Sequence, residues 1–66
     1  MNNEIRINIK RLRQEKGLSQ DRLAKLADVS YHSVVKLENG CITNPTITTL
    51  QRISRVLEVS IMELLS

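Results

Sequence analysis

The sequence predicts an all-α fold, a compact bundle of five short helices built as one domain over residues 1–66. Three observations predict it. Apolar residues recur at helical spacing behind small polar caps: Leu23, Ala24 and Ala27 follow Ser19, and Val34 and Leu37 follow Ser30. No stretch has the alternation of a solvent-facing strand, and Thr46 to Thr49 is too short for one and opens a helix. Composition agrees, since 41% of residues are hydrophobic yet Tyr31 is the single aromatic, so Leu, Ile, Val and Ala must make the core. At 66 residues such a core is near the lower limit for folding without metal or disulfide support.

Taken in order, helix 1 is expected from Glu4 to about Lys16, capped by Asn2 or Asn3, with Ile5, Ile9 and Leu12 as its buried stripe. Arg6, Lys10 and Arg11 lie away from that stripe, and Ile7 falls on the polar side. Gly17 ends the helix and Leu18 tucks under helix 2, which begins after Ser19. Asp28-Val29-Ser30 makes a tight turn with Val29 as its apolar plug. Ser30 then caps helix 3, whose buried side is Val34, Leu37 and, at the edge, Glu38. Gly40 closes helix 3 and Pro45 prevents an early restart. Thr46 caps helix 4, roughly Ile47 to Leu57, with Ile47, Leu50, Ile53 and Leu57 as the apolar stripe and Ser54 at the close contact. Ser60 and Glu63 form a capping box for helix 5, and Ile61, Leu64 and Leu65 fold it onto the core.

The outward side of helix 3 carries the chemistry. At about 100° per residue His32, Val35, Lys36 and Asn39 point away from Val34 and Leu37, with Tyr31 on the flank of the first turn. No acid interrupts this set. Hydrogen-bonding side chains, a cation and a methyl-rich residue suit a DNA major groove, where Lys36 can donate to guanine and Val35 can pack on a thymine methyl. Gln20 opens helix 2 at its positive end, a favourable place for a phosphate oxygen.

Ser19-Gln20, Leu23-Ala24, Ala27, Val29-Ser30, Ser33-Val34, Lys36-Leu37 and Glu38-Asn39-Gly40 occur together at fixed spacing. In this the chain resembles the lambda-repressor and Cro-like family, often called the XRE family, and the likeness runs from Ile5 to Leu65. It implies a lambda-repressor-like DNA-binding domain with a helix-turn-helix formed by helices 2 and 3. By that resemblance Tyr31, His32 and Lys36 read base edges, with Val35 beside them. Each position has an alternative: Tyr31 packs over helix 2, His32 is simply solvated, Lys36 binds phosphate only, and Gln20 is an exposed helix-favouring residue. Gln20 contacts a phosphate, sometimes through a bridge to the first residue of helix 3, here Tyr31. Ser30, Ser33, Asn39, Thr43, Asn44 and the Thr46 end of helix 4 are backbone-contacting candidates, joined by Arg11; for Ser30, capping comes first. Glu38 opposes the helix dipole and would repel phosphate, so it should be paired, and the resemblance implies Arg13 as its partner. Three departures are visible: Asp28 and Glu58 stand where glycine is common, and Cys41-Ile42 follow Gly40 where many relatives carry a cation, which implies a shallower salt dependence.

Composition bounds the function classes. Net charge is only +3, but eight of the ten Lys and Arg residues precede Gly40, so placement matters more than bulk charge. With Cys41 as the one cysteine and His32 as the one histidine, no disulfide, metal site or cofactor is expected. There is no apolar stretch of membrane length and no signal pattern, so a soluble cytoplasmic protein is expected, with no membrane contact. No nucleophile-base pair, phosphate-cradling glycine loop or metal set argues for an enzyme. The leading expectation is a sequence-specific regulator of transcription, most simply a repressor, binding double-stranded DNA at a palindromic operator as a homodimer. No appended sensor or oligomerisation domain is evident in the sequence, so Val56, Val59, Met62 and Leu65 are the candidate dimer surface; the same residues would equally well complete the core. The competing class is a protein-interaction or antitoxin-type module in which DNA contact is secondary, against which stands the acid-free face of helix 3.

Overall fold

Four small hydroxyl residues set where the helices begin. A computed structural model describes residues 4–42 and 44–66, with the backbone alone for Glu4, and holds α1 (Glu4–Glu15), α2 (Gln20–Ala27), α3 (Tyr31–Asn39), α4 (Ile47–Leu57) and α5 (Ile61–Leu65). The expected caps Asn2 and Asn3 lie outside the described residues. Ser19, Ser30, Thr46 and Ser60 stand in extended backbone, and each side-chain oxygen accepts the N–H three residues on, from Arg22, Ser33, Thr49 and Glu63. Glu63 Oε1 returns a bond to the Ser60 N–H at 2.9 Å, completing the capping box. Each such cap stabilises its helix by about 1 kcal/mol.

The helix ends are as specific as the starts. Asp28 and Glu58 adopt the left-handed conformation, with φ of 58° and 61°, at the two positions where glycine was the expected alternative. Side chains there cost on the order of 1 kcal/mol each, and each residue gains a tether. The Asp28 carbonyl accepts from Arg52 Nη1 at 3.0 Å, and the Glu58 carboxylate takes the Lys16 ammonium at 2.6 Å. Gly40, at φ 87°, ends α3 in the left-handed region that favours glycine, with the Arg6 side chain lying against it.

The core is aliphatic, with Ile9, Leu23, Val34, Leu37, Ile53, Leu57 and Leu64 fully buried. Ala24 and Ala27 keep α2 thin where it meets its neighbours. α1 packs on α3 and α5, α2 on α3 and α4, and α4 on α5. Thus α3 is held from behind by two helices through Val34 and Leu37, and its opposite side is uncovered. Asn8 ties α1 to the far end of the bundle by donating to the carbonyls of Glu63 and Leu64.

Two expected core residues are not core. Ile47 is 61% exposed because the first turn of α4 projects past the bundle, leaving the buried stripe as Leu50, Ile53, Ser54 and Leu57. Leu65 is 44% exposed: it lies about 100° round the helix from the fully buried Leu64 and so turns to solvent. Of the candidate dimer residues, Val56 and Val59 lean on the core, whereas Met62 and Leu65 stay exposed. No helix among the described residues is long and apolar enough to cross a membrane.

The Lys16–Glu58 pair has a pH signature. Glu58 is held below the ordinary glutamate pKa, first by the hydrogen bond from Lys16 and then by its charge. The folded carboxylate therefore binds its proton less readily than the unfolded one, so the pair's contribution is present above the ordinary glutamate range and is lost as pH falls through it. A carboxyl-carbon NMR titration should place the Glu58 midpoint below that of free glutamate, and Lys16→Met should move it up; a midpoint that ignores the substitution contradicts the pairing.

Candidate nucleic-acid interface

The uncovered side of α3 is a short ridge. His32 and Lys36 are exposed, Val35 is half-buried and Tyr31 is 48% exposed, so Tyr31 is not packed away over α2. The Tyr31 and His32 rings meet edge to face, with centroids 6.2 Å apart. The first turn of α3 has no acidic residue. Ser30 is occupied by capping: its hydroxyl oxygen accepts the Ser33 N–H at 3.0 Å, and its proton goes to Ser33 Oγ at 2.8 Å. The Ser33 hydroxyl keeps its own proton to donate.

Behind the ridge, one buried ion pair fixes three elements. Arg13 Nε and Nη2 donate to the two Glu38 oxygens at 2.6 and 2.9 Å, a two-pronged bridge from α1 to the last turn of α3. Arg13 Nη1 also donates to the Leu18 carbonyl at 2.7 Å, which holds the link between α1 and α2. The Arg13 guanidinium is held above its usual pKa, chiefly by the hydrogen bond to Glu38, with burial opposing and charge attraction assisting. Glu38 then takes a third donor, Gln20 Nε2, at 3.0 Å. An ionised carboxylate can only accept, so the atom facing it must be the amide nitrogen. This bond was not anticipated. Gln20 engages the end of α3 through Glu38, whereas the family pattern suggested a bridge to Tyr31 at its start.

Two hollows flank the ridge. The larger, about 450 Å³, is lined by Lys10, Arg13, Gln20, Val35, Glu38 and Asn39. Here the amide of Asn39 is also fixed, since its Oδ1 accepts the Cys41 N–H at 2.9 Å and its Nδ2 is left to donate. The smaller hollow, about 230 Å³ on the other flank, brings Ser33 together with Asn44, Thr46 and Thr49. Thr43 lies outside the described residues.

Helix 1 places its cations on two different sides. At about 100° per residue Arg6, Lys10 and Arg13 fall within roughly 60° of one another, on the edge of α1 that faces α3, while Arg11 lies about 160° from Arg13. Consistently, Arg6 lies against Gly40 and Lys10 enters the larger hollow, whereas Arg11 pairs with Glu15 at 3.2 Å in the open. The signal was present in the sequence: once Arg13 is assigned to Glu38, Lys10 one turn earlier must also face α3.

Two helices joined by a tight turn, the second exposed as a ridge between two hollows, define a helix-turn-helix domain. A family model described as helix-turn-helix matches residues 9–64, and the chain belongs to that family. It is 41% identical over 58 residues to the HTH-type transcriptional regulator SinR of Bacillus licheniformis, covering 88% of this chain and 52% of that protein. The chain thus spans about half the length of the curated SinR proteins it matches. Its fold superposes on the N-terminal DNA-binding domain of SinR from Bacillus subtilis with a TM-score of 0.95 at 38% identity, covering 98% of this chain and 94% of that one. Against SinR in complex with DNA the TM-score is 0.91 at 40% identity, over 94% and 98% of the two chains.

Removing the acid at the centre of this arrangement should be costly. Glu38→Ala leaves Arg13 buried without its counter-charge and Gln20 without its acceptor, an expected loss of about 3 kcal/mol. For a domain of this size that lowers the melting temperature by more than about 10 °C, read by circular dichroism. An unchanged melting temperature would show that the bridge carries no structural weight.

Proposed function

We propose that these residues form the sequence-specific, duplex-DNA-binding domain of a transcription regulator, in its simplest form a cytoplasmic repressor acting as a homodimer on a two-fold symmetric operator. The observation that carries this reading is the acid-free ridge of α3, with Tyr31, His32, Val35 and Lys36 along it, Lys10, Gln20 and Asn39 in the hollow on one side and Ser33 and Asn44 in the hollow on the other. Tyr31, His32 and Lys36 read base edges, and Val35 packs against a thymine methyl. Gln20 and Asn39 on one flank, and Ser33 and Asn44 on the other, hold the two phosphate strands that border the groove. The likeness to SinR bound to DNA supports the same reading.

A single recognition helix covers only a few base pairs, so selectivity calls for two copies on half-sites roughly 34 Å apart. Met62 and Leu65 are the exposed part of the proposed dimer surface, with Val56 and Val59 beneath them.

Selection of bound duplexes from a random pool tests the reading directly. Two-fold symmetric sites with half-site centres about one turn apart are expected. The double variant His32→Ala with Lys36→Ala should melt like the parent yet lose preference for the selected site by at least about tenfold, counting roughly 1 kcal/mol per lost contact. Undiminished preference in that variant would remove α3 as the reader.

A further inference from the structure

Asn39, exposed at the end of α3, is followed directly by Gly40. An asparagine loses its amide when the next backbone nitrogen attacks Cγ, so the reaction needs an open nitrogen, an unhindered neighbour and a polarised carbonyl. Among the described asparagines only Asn39 has all three. Asn8 lies inside α1, where its Nδ2 donates to the Glu63 and Leu64 carbonyls and the branched Ile9 follows with its N–H in the helix ladder. Asn44 precedes Pro45, which has no N–H to attack with.

Gly40 lacks a Cβ, and at φ 87° its N–H meets no acceptor among the described residues, whereas the N–H groups of Asp28 and Glu58, the other left-handed caps, each reach two carbonyls. Asn39 Oδ1 accepts the Cys41 N–H at 2.9 Å, which draws electrons from Cγ and leaves Nδ2 towards solvent. The Arg6 side chain lies against Gly40, and Lys10 lines the hollow beside Asn39. Two nearby cations favour the anionic nitrogen and the anionic adduct that it forms.

We propose that Asn39-Gly40 is a site of self-deamidation and that its product weakens the domain's hold on DNA. The second half rests on the DNA-binding reading; the first does not. The Gly40 nitrogen gives its proton to water and bonds to Asn39 Cγ. The Cγ–Nδ2 bond then breaks, and ammonia leaves with a proton taken back from water, closing a five-membered succinimide. Water next opens the ring at either carbonyl, giving aspartate or isoaspartate at this position. Water is the sole co-reactant, and nothing is oxidised or reduced. Either product replaces an N–H donor by a carboxylate on the flank of α3 assigned to phosphate, and isoaspartate also lengthens the backbone between α3 and Gly40. The change is irreversible, so the domain carries a clock that runs toward weaker binding.

The test incubates the whole chain in heavy-oxygen water at mildly alkaline pH, below its melting temperature, beside a sample unfolded in guanidinium. Peptide mapping by mass spectrometry should find the acid, carrying one heavy oxygen, at Asn39 well ahead of Asn8 and Asn44 in the folded sample, with isoaspartate the major form. Asn39→Gln, whose longer side chain closes a less favourable ring, should keep its amide over the same time. If the folded chain keeps the Asn39 amide while the unfolded chain loses it, the helix end protects the site and the proposal is overturned. The converted fraction, separated by its extra negative charge, should bind a duplex from the random-pool selection at least about tenfold more weakly than the parent, because a carboxylate set against a phosphate repels it. Asn39→Gln incubated alongside should show no such loss with time. Equal affinity in the converted fraction would overturn the effect on DNA. If the fresh parent binds no duplex, the DNA-binding reading fails, and the mass assay still decides the modification.

Discussion

The arrangement of this small protein depends on a single buried charge pair. Arg13 and Glu38 meet where α1 crosses the end of α3, and every other feature of the interface is measured from that crossing. Removing two charges from water offsets most of their attraction, so the pair is a weak source of net stability but a strict constraint on geometry. Only one placement of α1 against α3 lets both guanidinium prongs reach both oxygens while a third nitrogen reaches Leu18. The pair also solves an electrostatic problem. An acid in the last turn of α3 opposes the helix dipole and would repel a phosphate, and burial under three donors removes it from the surface.

From that anchor the division of labour across the surface follows. The hydroxyl caps and left-handed ends hold the helices in fixed register without using a side chain of the ridge; the Ser30 cap takes the Ser33 N–H and donates to the Ser33 hydroxyl beside it. The amides of Gln20 and Asn39 are each oriented by one bond inward, which leaves a defined remainder facing out. Side chains held this way lose little conformational freedom when a ligand arrives, so more of each contact appears as affinity. Tyr31, His32 and Lys36, by contrast, have no such tethers among the described residues beyond the edge contact between the two rings.

Much of the interface was legible because its signals are local. A serine three residues before its bonding partner, an i to i+4 apolar stripe and an acid-free helix face are each complete within one turn or two. The helix order, the cap residues and the exposed face of α3 therefore could be read directly. Ile47 escaped because helical period assigns a side chain to a face, not to a depth, and Leu65 because it was grouped with Leu64 although it lies about 100° round the helix from it. Arg11 and Lys10 both lie off the apolar stripe, and only the packing of α1 on α3 separates them: Lys10 lines the larger hollow and Arg11 pairs with Glu15 in the open.

What the sequence determined by itself is thus the set of helices, their caps and the residues on each face, since backbone hydrogen bonding and periodic burial act over a few residues. Tertiary structure decided which side chains from separate elements meet: Gln20 with Glu38 and Lys16 with Glu58. Those meetings depend on crossing angles and depths set by the whole aliphatic core at once. No single turn of chain contains that information.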